Sequence, residues 1–195
     1  MMEPTTSHGC GCAHKAEKPT EILSDEHRVI ERVLSALEQL TRLPVSDSVE
    51  RWQKALEFFG HFADQCHHFK EEKVLFPAME AHGIPSEGGP IGMMLAEHEE
   101  GRAHVRAMLA GVEQIAVGNA VSAESLLSHA HAYLILLREH IQKEDDILFR
   151  MADEVIPQDE QRQILKQFEA HEAEEMGAGT HEKYLNIVTE LERAA

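Results

Sequence analysis

Two stretches of the chain, HHFKEEKVLF at His67–Phe76 and HIQKEDDILF at His140–Phe149, share an H-x-x-x-E spacing in one register: 140 − 67 and 144 − 71 both equal 73. Each is preceded, one helical pattern earlier, by the dipeptide EH, at Glu26–His27 and Glu97–His98. Imidazole and carboxylate together are the donor set that divalent iron or manganese accepts. A helix turns about 100° per residue, so the phase of each group can be read. Leu56, Ala63, Val74 and Ala78 lie on the side of His67, and Glu71 falls on the same stripe. Tyr133, Leu136, Ile147 and Met151 lie with His140, and Glu144 lies among them. His27 shares its side with Leu23 and Leu34; His98 shares its side with Ile91, Met94, Val105 and Leu109. His68, Glu72 and His61 fall about 100–140° from His67 and are expected to face water or a helix edge. Asp145 falls at about 140° from His140, so Glu144 is the carboxylate aligned with that histidine.

One histidine on an apolar stripe is usually a satisfied core residue. Six imidazoles and carboxylates converging in one interior are different, because burying charge without a partner is costly. They either pair among themselves or share a metal. The expected metal-site residues are His27, His67, Glu71, His98, His140 and Glu144. Tyr133 is a candidate to line the site or simply to pack. His129 lies three turns from His140 and is expected at a bundle end. Cys66 is expected to be a buried, inert thiol.

The elements that must carry these groups are long helices. The chain has 195 residues, enough for one sizeable core, with 43 % hydrophobic and 5 % aromatic residues and 14 histidines. The patterns predict helices over about Thr20–Arg42, with Thr20 as N-cap, and Ser48–Ala81, with Pro77 bending or ending it. Two more run over Ile91–Val117 and Ser122–Val155, and shorter ones over Asp159–Met176 and His181–Arg193. This predicts an all-α, up-down-up-down four-helix bundle over residues 20–157 with two additional C-terminal helices in 158–195. Residues 1–19 show no periodicity and read as a flexible Cys/His-containing tail, whose H-x-C-x-C-x-H run (His8, Cys10, Cys12, His14) offers thiolate and imidazole. Phe168, His171 and Glu175 are expected on a solvated or covering helix. The formal net charge of −17 argues against nucleic acid and anionic membrane as partners. No apolar run approaches the ~20 residues of a membrane helix and no signal-peptide core is evident, so the expected compartment is the cytoplasm.

The motifs EH at Glu26–His27, HHFKEEKVLFP at His67–Pro77, EHEEGR at Glu97–Arg102 and HIQKEDDILF resemble the hemerythrin-like, HHE cation-binding family. The resemblance implies a four-helix bundle around two non-heme Fe ions, bridged by carboxylates and by an oxo or hydroxo group. His27, His67, His98 and His140 match its histidine ligands, and Glu71 and Glu144 its bridging carboxylates. The chain departs from the oxygen-carrying hemerythrins at Arg102, where those place a second helix-three histidine. It looks closer to the four-histidine, two-glutamate branch, which includes di-iron proteins of iron–sulfur cluster repair. The implied functions are binding, sensing or storing dioxygen, nitric oxide or iron; turnover of peroxide or nitric oxide; or donation of iron to damaged clusters. A metal-free interaction bundle is the remaining reading.

Overall fold

A computed structural model describes residues 18–119, 121–176 and 180–193. The H-x-C-x-C-x-H run lies outside the described residues. All regular structure among them is helical. Helix α1 spans Pro19–Leu40 and α3 spans Pro90–Ala116. Helix α2 covers residues 49–81. It runs α-helical over Val49–Phe58, π-helical over Phe59–His68 and again over Glu71–Leu75, then α-helical over Phe76–Ala81. Helix α4 covers residues 122–155 and is π-helical over Glu144–Leu148. Helix α5 spans Gln158–His171 with a π-helical continuation, Glu172–Met176, and α6 spans Thr180–Arg193.

Prolines at the first or second helical position open α1 and α3, where the missing N–H costs nothing and the fixed φ suits the helix. Gly83 and Gly118, both at φ +92°, turn the chain after α2 and α3, a conformation that L side chains rarely adopt. The N-cap of α1 is Lys18, not Thr20: the Lys18 N–H donates to the carboxylate of Glu21, while the Thr20 hydroxyl donates to Asp153 at 2.8 Å. Pro77 does not end α2. It follows a π-helical turn in which the Phe76 N–H reaches Glu71 O, and the chain resumes α geometry through Ala81.

The π turns recur at the repeat spacing, one starting at Glu71 and the other at Glu144. Each inserts a residue into the α-helical phase, which corrects two expectations. Val74 is half-buried and Ile147 is 57 % exposed, whereas Leu75 and Leu148 point inward. Packing gathers the apolar side chains into two clusters. One holds Ile30, Leu37, Phe59, Met108, Leu137 and their neighbours; the other holds Leu23, Leu75, Met94, Leu148 and theirs. On each long helix the expected ligands lie in sequence between residues of these two clusters, so a polar layer divides the core. The C-terminal helices seal it. Ile164 and Phe168 of α5 belong to the second cluster, and Tyr184, Val188 and Leu191 of α6 to the first. Helix α5 is thus a covering helix, with Phe168 fully buried and His171 stacked on Phe69 at 3.6 Å. The side chain of Glu175 lies outside the described residues. No described helix is long and apolar enough to cross a membrane.

Candidate metal centre

The four long helices bring His27, His67, Glu71, His98, His140 and Glu144 into one buried layer, none more than 2 % exposed. Their ligand atoms form two groups. His27, His67, Glu71 and Glu144 make one; Glu71, His98 and His140, with His68, make the other. Glu71 therefore belongs to both. One of its oxygens lies 3.4 Å from His67 Nε2 and the other 3.4 Å from His98 Nε2. Glu144 also spans the pair, 3.3 Å from His27 Nε2 and 3.2 Å from His140 Nε2.

His68 corrects the sequence reading. It was expected at an edge with His61 and Glu72, but it is buried, and its ring stacks on His98 at 3.8 Å. The cause is the π-helical run Phe59–His68. Its wider turn puts more residues into each revolution, so His67 and His68 both face the layer. The counterpart of His68 in the repeat is Ile141, so the two halves differ here. Only the doublet HH hinted at it. His61 does lie at the edge, bonded to the carbonyl of Glu57, and His129 pairs with His104 away from the layer.

Every one of these histidines has a carboxylate at Nδ1. The partners are Asp145 for His27 (3.0 Å), Glu26 for His67 (2.9 Å), Asp64 for His68 (3.4 Å), Glu72 for His98 (2.8 Å) and Glu97 for His140 (2.9 Å). A carboxylate there accepts a hydrogen bond from Nδ1–H and so keeps the proton on that nitrogen, leaving the Nε2 lone pair aimed inward, as a metal-binding imidazole requires. Four of these carboxylates follow the repeat: Glu26 and Glu97 precede a histidine, and Glu72 and Asp145 follow Glu71 and Glu144. Lys70 and Lys143, also related by the repeat, each contact the outer oxygen of Glu26 and Glu97 respectively. Sequence phase placed Glu72 and Asp145 off the stripe but could not say that they cross to the next helix.

The layer leaves several buried polar atoms unpaired. His27 Nε2 and all four carboxylate oxygens of Glu71 and Glu144 are buried with no hydrogen-bond partner. His98 Nε2 and His140 Nε2 face each other at 3.0 Å, so one of them carries a proton or both turn to a shared cation. Burial, then the facing Glu144, pushes the Glu71 carboxyl well above its ordinary range. Burial acts on Glu144 too, but His140 and His27 outweigh it and hold it low. Burial keeps His67 and His68 neutral well below the ordinary imidazole value. For His140, Glu144 and Glu97 overcome burial and raise the pKa to about 9. Buried carboxylates and inward imidazoles that lack hydrogen-bond partners fit divalent cations.

Residues 18–152 match the hemerythrin HHE cation binding domain. The chain belongs to that family. This HHE domain is also 23 % identical over 177 residues, 89 % of its own chain and 69 % of theirs, to uncharacterized proteins of Mycobacterium bovis and of two strains of Mycobacterium tuberculosis. No solved structure matches it. The family binds metal cations, and the buried His/Glu groups can hold them.

Cys66 has the expected character. It is buried, and burial pushes its thiol up to about 12. It lies beside Glu26 and Glu172, whose charges are already met by the buried ammonium of Lys70.

Proposed function

We propose that this HHE domain is a non-heme di-iron protein of hemerythrin type, built as an up-down-up-down four-helix bundle, that binds, senses or stores dioxygen, nitric oxide or iron. The observation that carries the reading is the pair of donor groups sharing Glu71, with each inward Nε2 backed by a carboxylate. His27, His67, Glu71 and Glu144 would hold one ion. His68, His98, His140 and Glu71 would hold the other, with Glu144 reaching it as a bridge. The bound pair would supply reversible binding of a small ligand at an iron with a free coordination position. The protein's own residues do the rest. Asp145, Glu26, Asp64, Glu72 and Glu97 fix the imidazole tautomers, and the two apolar clusters keep bulk water out.

The donors divide unequally, because His68 adds an imidazole to one position only. The position of His27 and His67 would therefore have fewer protein ligands and would be the one left open to an exogenous ligand. A second reading, an oxidoreductase acting on peroxide or nitric oxide, draws on a cleft that reaches His68, His98 and His140 and gives a substrate room.

The test is metal content together with the visible and near-ultraviolet spectrum of protein purified in air. Two irons per chain and a near-ultraviolet band that azide or nitric oxide shifts are expected. A protein that takes up no iron or other divalent metal would overturn the reading.

A further inference from the structure

A cleft of about 200 Å³ opens between α2, α3 and α4 and ends on the imidazoles of His68, His98 and His140. Its size exceeds the need of a diatomic ligand. An apolar cavity of about 150 Å³ is enough to hold benzene. Its walls are Phe59, Val105, Leu136 and Leu137, and two glycines keep it open. A Cβ added at Gly60 meets nothing within 4 Å, and one at Gly101 meets only the Tyr133 ring, at 3.5 Å. A glycine inside a helix costs roughly 0.5–1 kcal/mol relative to alanine, and no steric clash at either position requires it. What the two glycines provide here is empty space.

Among the polar groups that line this cleft is the phenol of Tyr133. Tyr133 is 3 % exposed and lines the cleft, its ring edge-on to Phe59 at 5.0 Å. Its hydroxyl has no hydrogen-bond partner among the described residues. A phenol hydroxyl that makes no hydrogen bond within the protein is free to pair with an oxygen-bearing guest, at the worth of one neutral hydrogen bond. The cations do not ask for an anion. Arg102 is engaged by Asp64, Glu72 and Glu99, and Arg106 is exposed at the rim, where water and salt screen it.

We propose that this cleft binds a neutral single-ring phenol, its ring among the apolar walls and its hydroxyl at Tyr133, beside the imidazoles of His68, His98 and His140. Its closeness to a metal position rests on the di-iron reading; the binding itself does not need the metal. The ring would be held next to the centre, in van der Waals contact with the imidazoles, rather than on an iron.

Fluorine NMR with 4-fluorophenol and fluorobenzene, on full-length protein as purified and after chelation, tests this. Both compounds should bind saturably at one site in either state. Gly101→Leu should weaken both at least tenfold. Tyr133→Phe should weaken 4-fluorophenol about two- to tenfold, the effect of one neutral hydrogen bond, and leave fluorobenzene unchanged. If Gly101→Leu does not fold, Gly60→Leu fills the same cleft from the opposite helix. Absence of saturable binding to the unsubstituted protein would overturn the proposal. So would unchanged affinity in a folded glycine variant, or an equal loss of both compounds in Tyr133→Phe. Metal content measured on the same samples separates the two readings. Iron without phenol binding sinks the cleft alone; phenol binding without metal uptake sinks the di-iron reading and leaves the cleft standing.

Discussion

At the scale of single residues, each imidazole of the layer has a carboxylate at Nδ1 and turns its Nε2 to the interior. In the proposed di-iron centre, Glu71 and Glu144 are the groups that both positions would share. Glu71→Ala or Glu144→Ala should therefore empty or weaken both positions at once, read as metal per chain. Glu72→Ala removes the support of His98 and one acid that holds Arg102, but none of the proposed ligands. Losses of this kind cost about 10–100-fold in metal affinity, so iron should still load at saturating concentration. His68→Ile, which copies Ile141 of the other half, should lower affinity at one position and leave the other unchanged. Its proof is a two-phase metal titration in which one phase alone moves. Acid dependence follows from the same contacts. Glu71 is held above the ordinary carboxyl range and His140 is raised to about 9, so both carry protons that a metal must displace. Metal uptake should release at least one proton and strengthen as pH rises toward 9, measured by calorimetry in buffers of different ionisation heat. Equal heats in all buffers would contradict this. Glu72 runs the other way. Although burial opposes it, hydrogen bonds from His98 and Arg102 hold it down at about 2. Its contribution to stability is complete above the ordinary carboxylate value and is lost as pH falls from there toward 2.

At the scale of elements, the π-helical turns at Glu71 and Glu144 set which residues face in, and the continuation of α5 contacts the lysine that precedes the first of them. Lys70 is fully buried between Glu26, which supports His67, and Glu172 on the continuation of α5. Lys143, its counterpart in the repeat, makes the matching contact to Glu97 but is one-third exposed and has no C-terminal partner in that contact. Burial decides how much each matters. Lys70→Ala leaves buried Glu26 without its cation and should cost about 3–5 kcal/mol, whereas Lys143→Ala should cost about 1 kcal/mol or less. Urea denaturation of the two variants gives the comparison. Equal costs would mean that the burial of Lys70 is not what stabilises this end of the layer.

At the scale of the whole molecule, the two apolar clusters and the polar layer form one interior that residues 158–193 help to close. Phe168 is fully buried beneath α5, so Phe168→Ala should cost about 3–5 kcal/mol. In a chain of this size that lowers Tm by roughly 6–20 °C. A thermal melt with unchanged Tm would show α5 to be an appendage rather than part of the fold. The sequence by itself determined much of this protein: the helix count and their ends within about two residues, the internal repeat, and the six groups that meet in the layer. These were legible because helical phase is local, and because a polar group recurring on an apolar stripe has few explanations. Tertiary structure alone decided the rest. His68 turns inward because the packed bundle holds Phe59–His68 in π register, which α-helical periodicity cannot anticipate. Glu26, Glu97, Glu72 and Asp145 were visible as repeated acids, but each finds its histidine on another helix, 26 to 118 residues away in sequence. Such pairings depend on how neighbouring helices are rotated about their axes, and that rotation is set by the packing of the whole core.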